Sequence, residues 1–201
     1  MFTMPYKEEF MKRLAFACVL ALTASALLAQ APTRVRGTIT ALEGDVLSVK
    51  SRDGKDLKVQ LAPDVGVSTA KKATLDELKG KYVGVTALKK EGRLVAVEVH
   101  ALPPQAKPGH MDWDLQPGST MTNANLEGNA QSSGGNEITM NYQGGSQKIL
   151  VPEGTPIVTF VPGSRSDLKP GEWIFTSAGE KDGKLVAQRI TVSKDGVRPP
   201  Q

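Results

Sequence analysis

A seven-residue segment occurs twice, with two conservative differences, in this 201-residue chain, and this repeat limits how the chain can fold more than any other feature. KEGRLVA at 90–96 aligns without a gap with KDGKLVA at 181–187. The similarity extends backwards, pairing YVGVTAL at 82–88 with WIFTSAG at 173–179, and GDVLSVK at 44–50 with GNEITMN at 135–141. Two copies of roughly 70 residues each therefore fill most of the chain after residue 30 and predict two similar folding units.

Each copy shows the alternation that is typical of β-strands. In the segment 35–41, Val35, Gly37, Ile39 and Ala41 alternate with Arg and Thr. An apolar residue at every second position indicates a strand with one buried face. Glycine-containing turns at 43–45 and 53–54 separate the first three strands of the first copy and predict hairpins.

A short helix follows the third strand. The segment 74–80 begins with a capping box formed by Thr74 and Glu77, ends at Gly80, and predicts one or two helical turns. Leu75 and Leu78 are then placed to close the end of a small barrel. Two further strands are predicted at 81–88 and 93–101, which gives the strand order of an OB-type barrel.

The sequence therefore predicts a mainly β protein with two tandem OB-like small β-barrels, each with a short helix between strands 3 and 4. The first is placed at 31–102 and the second at 120–201, with a proline-rich linker at 103–119. In this interpretation the repeated segment is a hairpin turn. Gly92 and Gly183 supply the left-handed backbone conformation, and the leucines that follow begin inward-facing rows.

Residues 1–30 have the features of a signal peptide, with Met11 as the predicted start. Lys12 and Arg13 precede an apolar run that ends at Leu28, which has the length of a signal core and is too short to cross a membrane. Cys18, the only cysteine, lies within this run, and its neighbours do not match a lipoprotein cleavage site. We therefore predict export to the periplasm or medium, with no disulfide and no membrane span in the mature chain.

Several of these motifs resemble those of a known group. GTITALEGDVLSV at 37–49 and DELKGKYVGV at 76–85 resemble an uncharacterised bacterial family of exported small OB-like β domains. The second copy, with TPIVTFVPGSRSDLKPG at 155–171, resembles a subgroup with two such domains. The resemblance implies the fold and the export, and it implies no catalytic residues.

The residues do not favour an enzyme or a nucleic-acid binder. After residue 30 there is no cysteine nucleophile, Gly-x-Ser-x-Gly elbow or His-Glu-x-x-His motif. The first 30 residues hold three of the 25 basic and two of the 21 acidic side chains, so the remainder carries a net charge of only +3. Strands two and three of the first copy lack the aromatic residues that single-stranded nucleic acids stack on. We predict a non-catalytic binding or interaction protein of the cell envelope, without a cofactor, whose partner is an envelope protein, a glycan or a small ligand.

The linker contains the candidate site residues. His110, Met111, Asp112 and Asp114 lie close together in sequence and carry imidazole, thioether and carboxylate groups, which are metal ligands. The alternative prediction is therefore a periplasmic metal-handling accessory protein that binds a metal ion here. Trp113 predicts a different role, because burying so large a ring would fix the linker on a barrel and create a ligand crevice at the junction.

Overall fold

The computed structural model describes residues 32–199, and within them the chain forms twelve strands. The predicted signal peptide, with Met11 and Cys18, lies outside the described residues. The strands are β1 (Thr33–Glu43), β2 (Val46–Ser51), β3 (Asp56–Lys72), β4 (Tyr82–Lys90), β5 (Arg93–Ala101), β6 (Gly109–Asp112), β7 (Ser119–Ser132), β8 (Gly135–Tyr142), β9 (Gly145–Pro152), β10 (Ile157–Pro162), β11 (Trp173–Lys181) and β12 (Lys184–Val192). One helical turn, α1 (Leu75–Leu78), and a 3-10 turn, Arg165–Asp167, complete the elements. Across residues 32–199, no helix is both long enough and apolar enough to cross a membrane.

The strands confirm the mainly β prediction, and the repeated turns have the predicted backbone. Glu91 and Gly92 have φ values of 49° and 78°, and Asp182 and Gly183 have φ values of 53° and 71°. Two consecutive residues with positive φ are what a two-residue hairpin of the I′ type requires. The repeated segment is therefore the turn between the last two strands of each copy.

Strand pairing closes two circuits of five strands each. The first barrel consists of β1, β2 and β3 from the first copy with β11 and β12 from the second. The second barrel consists of β7, β8 and β9 from the second copy with β4 and β5 from the first. One pairing in each circuit is parallel, β3 with β12 and β5 with β9.

The prediction that residues 31–102 and 120–201 each close a barrel of their own is therefore wrong. Each copy gives its first three strands to one barrel and its last two strands to the other. We call this arrangement the reciprocal strand exchange. The order of strands around each circuit is still that of an OB-type barrel, but both copies contribute to it.

A ribbon of two strands marks the place where the copies cross. β3 continues beyond the first barrel, and its residues 68–72 pair antiparallel with 158–162 of β10. Leu185 pairs with Val59, and its equivalent Leu94 pairs with Ile149. Val59 of the first copy therefore corresponds to Ile149 of the second, an offset of 90 residues between the third strands. When this offset exchanges the two copies, every facing pair of the ribbon becomes another facing pair, and the central pair, Ala70 and Phe160, becomes itself. The two copies are thus related by an approximate two-fold axis.

Each barrel encloses its own apolar core. Buried side chains from the five strands of each circuit form two separate clusters. Val83 and Ile174, at equivalent positions of the two copies, are fully buried. Leu94 and Leu185 are half-buried at the core edges, against the second and first barrels respectively, because each is only the second residue of its strand. The predicted inward rows are thus confirmed, with these leucines at their ends.

The helical turns also cross between the copies. Leu75 and Leu78 of α1 are buried in the core of the second barrel, while Leu168, after the 3-10 turn, is buried in the first. The capping box is present, since the Glu77 backbone nitrogen donates to Thr74 Oγ1 (3.2 Å) and the Thr74 nitrogen donates to Glu77 Oε2 (2.7 Å). Both parts of the exchanged segment, turn and strand pair, thus complete the barrel of the other copy.

Candidate functional site

The linker between the copies is held by contacts to both barrels. Its strand β6 pairs antiparallel with β7 of the second barrel. Before β6, the carbonyl of Ala106 accepts a hydrogen bond from the Tyr82 hydroxyl (3.0 Å), and the carbonyl of Lys107 accepts one from Asn123 Nδ2 (2.9 Å). After β6, the linker contacts β1 of the first barrel. The predicted ordered linker is therefore a bridge with one attachment on each barrel.

The attachment to the first barrel consists of four side chains, Arg34, Arg36, Trp113 and Asp114, which we call the linker clamp. The Arg34 guanidinium lies 4.0 Å from the centroid of the Trp113 ring, a cation–π arrangement. Asp114 accepts two hydrogen bonds from Arg36, at 3.1 and 2.9 Å, and its carboxylate lies 3.4 Å from Arg34. The paired, planar geometry of the Arg36–Asp114 contact gives it direction as well as charge.

Burial makes the clamp depend on the charge of Asp114. The Arg36 side chain is only 5% exposed, so losing Asp114 would remove the carboxylate that compensates the charge of a largely buried guanidinium. Partial burial alone would raise the pKa of the Asp114 carboxyl. Hydrogen bonds and positive charge from Arg36, with a smaller contribution from Arg34, outweigh this effect and lower the pKa below its usual value.

Removing the charge of Asp114 is expected to release Trp113 from β1. In a Trp173→Phe background, where Trp113 is the only tryptophan, Asp114→Asn should shift the fluorescence emission to the red and increase quenching by iodide. Acid should have the same effect without the substitution. A carboxyl with a lowered folded pKa contributes its stability above the unfolded pKa of about 3.9 and loses it as pH falls through the folded value.

Asp112→Asn is the matched control, because Asp112 is an exposed neighbour with no ion pair in the described part of the chain. Its emission should equal that of the parent. Identical emission from Asp114→Asn and the parent between pH 2 and pH 7 would show that the clamp does not hold the linker.

The structure does not bring the four predicted metal-ligating side chains to one point. His110 Nδ1 lies 2.8 Å from Thr122 Oγ1, and Met111 lies opposite Met121 on β7. Successive side chains of a strand point to opposite faces, so Met111 faces away from His110 and Asp112, while Asp114 belongs to the clamp. Among residues 32–199 there is no group of three His, Cys, Asp or Glu side chains that could hold a metal ion. Metal binding stays a prediction.

An open groove lies where β3 leaves the first barrel. Its lining residues are Asp64, Gly66, Val67, Ser68, Gln188 and Arg189. Leu61 pairs with Ala187 and Gly66 with Arg189, so four residues of β3 face the single residue Gln188 of β12. A bulge of this kind bends its strand away from the partner. The groove is thus a direct product of the irregular β3–β12 pairing.

In the second barrel, buried side chains occupy the position equivalent to the groove. The two-fold relation of the copies places Glu98 at the position of Arg189 and His100 at that of Thr191. Glu98 and His100 are 5% and 4% exposed, and their side chains approach to 3.0 Å. In the groove, Arg189 is exposed, and no ion pair to its guanidinium is found within residues 32–199. One corner thus contains a buried acid–imidazole pair and the other an open cation.

No protein-family model, curated protein or solved structure was found to match this chain. The functional proposal therefore depends on the groove itself. The groove does not include Trp113, which the sequence placed at a ligand crevice, and a role for this residue in ligand binding stays a prediction.

Proposed function

We propose that this chain is an exported, non-catalytic binding protein of the bacterial cell envelope, and that it binds a glycan or small ligand carrying a carboxylate in the groove beside Arg189. The observation that carries the proposal is the exposed Arg189 guanidinium without an ion-pair partner in the described residues. A guanidinium presents a planar set of N–H donors that matches a carboxylate, and it keeps its charge at every physiological pH.

The other groove residues support an acidic sugar as the ligand class. The Gln188 amide can donate to the same carboxylate, and the Ser68 hydroxyl, which is 3.0 Å from Thr191 Oγ1, can donate or accept. The Asp64 carboxylate can accept hydrogen bonds from sugar hydroxyl groups, and it disfavours a ligand with several negative charges. These groups project from two paired strands, so little ordering is needed for binding.

Export supports the envelope as the place of action, and it is a prediction from residues 1–30. Cell fractionation with N-terminal sequencing of the product tests it directly. The binding site is tested separately on purified protein, so the two parts of the proposal can fail independently.

Titration with glucuronate, followed by calorimetry or by NMR shifts of the groove amides, is expected to show binding that glucose does not reproduce. Arg189→Gln should weaken it by about 10-fold to 100-fold, because a hydrogen bond to a charged group contributes about 1.5–3 kcal/mol. Lys184→Gln, which removes one exposed positive charge from the same strand outside the groove, is the matched control and should leave the affinity unchanged.

Equal binding of glucose would contradict the carboxylate part of the proposal. Equal affinity of the parent and Arg189→Gln for glucuronate would remove the groove as the site. Weakening by both variants to the same extent would indicate a general effect of net charge.

A further inference from the structure

Each strand pairing between the two halves of this chain, which we call a seam, can also form between two molecules. The N-terminal half, residues 33–102, and the C-terminal half, residues 119–199, are joined covalently only by residues 103–118 of the linker. Between them lie the pairings β1–β11, β3–β12 and β3–β10, and the pairings β4–β7, β5–β9 and β5–β10. We propose that these seams form an interaction surface for a second copy of this chain, in which each N-terminal half pairs with the C-terminal half of the other molecule.

Neither half can close a barrel alone. The N-terminal half provides the sheet β1–β2–β3 and the hairpin β4–β5, which belong to different barrels. Separated from its complement, it exposes the edges of β1, β3, β4 and β5, and unpaired edges readily pair with another chain. The complement from a second molecule has the same residues and offers the same contacts. The exchanged dimer therefore gains every seam of the monomer.

The linker decides between the monomer and the dimer. A tether raises the effective concentration of the attached half, and this advantage disappears when the tether cannot span the distance. Ala101 pairs with Val83 and Ser119 pairs with Leu88, so the linker must pass from one side of β4 to the other and five residues along it. Strand rise and spacing make this distance about 19 Å.

The decisive experiment shortens the linker below this span. Deletion of residues 103–116 leaves three residues between Ala101 and Ser119, which reach at most about 14 Å when fully extended. The shortened chain should then fold only by exchange, and light scattering after size exclusion should give about twice the mass of one chain. A control with residues 103–116 replaced by 14 Gly and Ser residues lacks β6 and the clamp but can span the distance, and it should remain a monomer.

Disulfide trapping distinguishes exchange from ordinary association. Lys71 and Thr159 face each other across the ribbon, in the N-terminal and C-terminal halves respectively. In the shortened chain carrying Lys71→Cys and Thr159→Cys, oxidation should link two chains, so a non-reducing gel should show a dimer. In the Gly-Ser control with the same cysteines, the bond should stay within one chain. The leader, which contains Cys18, is omitted from both proteins.

The full-length mature chain provides a second, independent measurement. Refolding it from denaturant at increasing concentration should give a rising dimer fraction that persists after dilution, because return to the monomer requires both barrels to open. A folded monomer from the shortened chain, or its failure to fold while the Gly-Ser control folds, would overturn the proposal. So would a dimer whose disulfides are all within one chain, or the absence of a dimer after refolding at high concentration.

Discussion

Cutting the linker of the folded protein is expected to leave both barrels intact and the two fragments associated. Residues 103–105 are exposed, so a protease site inserted there is accessible to the enzyme. After the cut, each barrel still contains strands from both fragments, and the fragments share all the pairings of the reciprocal strand exchange. The cut protein should elute from size exclusion at the volume of the intact protein, while a denaturing gel shows two bands.

The same sample in concentrated urea is the control, because unfolding should separate the fragments and prove that the cut is complete. Two tandem barrels would behave differently. Their fragments would elute as two smaller folded species in native buffer, and this result would contradict the observed strand pairing.

Replacing one leucine in the second barrel is expected to destabilise the first barrel as well. Leu126 is 1% exposed in the second core, and Leu126→Ala should cost about 2–5 kcal/mol of unfolding free energy, the usual range for a large cavity. Both tryptophans report on the first barrel, because Trp173 lies on β11 and Trp113 lies against β1. Since the two halves of the chain each contribute strands to both barrels, the barrels should unfold together. The denaturant midpoint of the fluorescence transition should therefore fall by the amount that corresponds to the whole loss of unfolding free energy, with an unchanged slope.

Ser146→Ala is the control, because this residue is exposed on β9 of the same barrel, and surface changes usually stay within about 0.5 kcal/mol. An unchanged tryptophan transition in Leu126→Ala, together with an earlier transition in far-ultraviolet circular dichroism, would mean that the two barrels unfold separately. The exchange would then give no energetic coupling.

The sequence predicts the local structure well because its signals are local. Alternation placed the strands of the first copy, and glycines at 44, 54, 92 and 183 placed turns that do have positive φ. The capping box at Thr74 placed the single helical turn. Each of these inferences uses residues that are neighbours in the chain, so the packing partner of the segment does not affect it.

The reciprocal strand exchange could not be predicted, because the repeated sequence is equally compatible with exchanged and unexchanged strands. The hairpins β4–β5 and β11–β12 carry equivalent inward rows, so either hairpin fits either barrel. The choice depends on the path of residues 62–73 and 153–163, which lead from the part of the third strand inside its barrel to the helical turn of each copy. The first segment stays extended within β3, and the polar, proline-containing sequence there gives no clear signal for a strand that leaves its barrel.

The contacts of the linker were predicted only in part for a similar reason. The size of Trp113 and the prolines around it correctly predict an ordered linker. Arg34 and Arg36 occupy the polar positions of an alternating strand, where the expected environment is solvent, so their contacts with Trp113 and Asp114 gave no signal. The groove depends on the bulge in the parallel β3–β12 pairing and has no local signature.

The order in which the chain is made bears on how it can fold. The strands that close the first barrel, β11 and β12, begin at Trp173, so the pairing of β1 to β3 is complete only after the chain has been made beyond Val192. The second barrel needs β9, which ends at Pro152. Contacts between such distant segments slow folding, because a long loop must be ordered before they form. A nascent chain of this topology therefore keeps unpaired strand edges until late in synthesis and depends on protection from aggregation until β12 has been made.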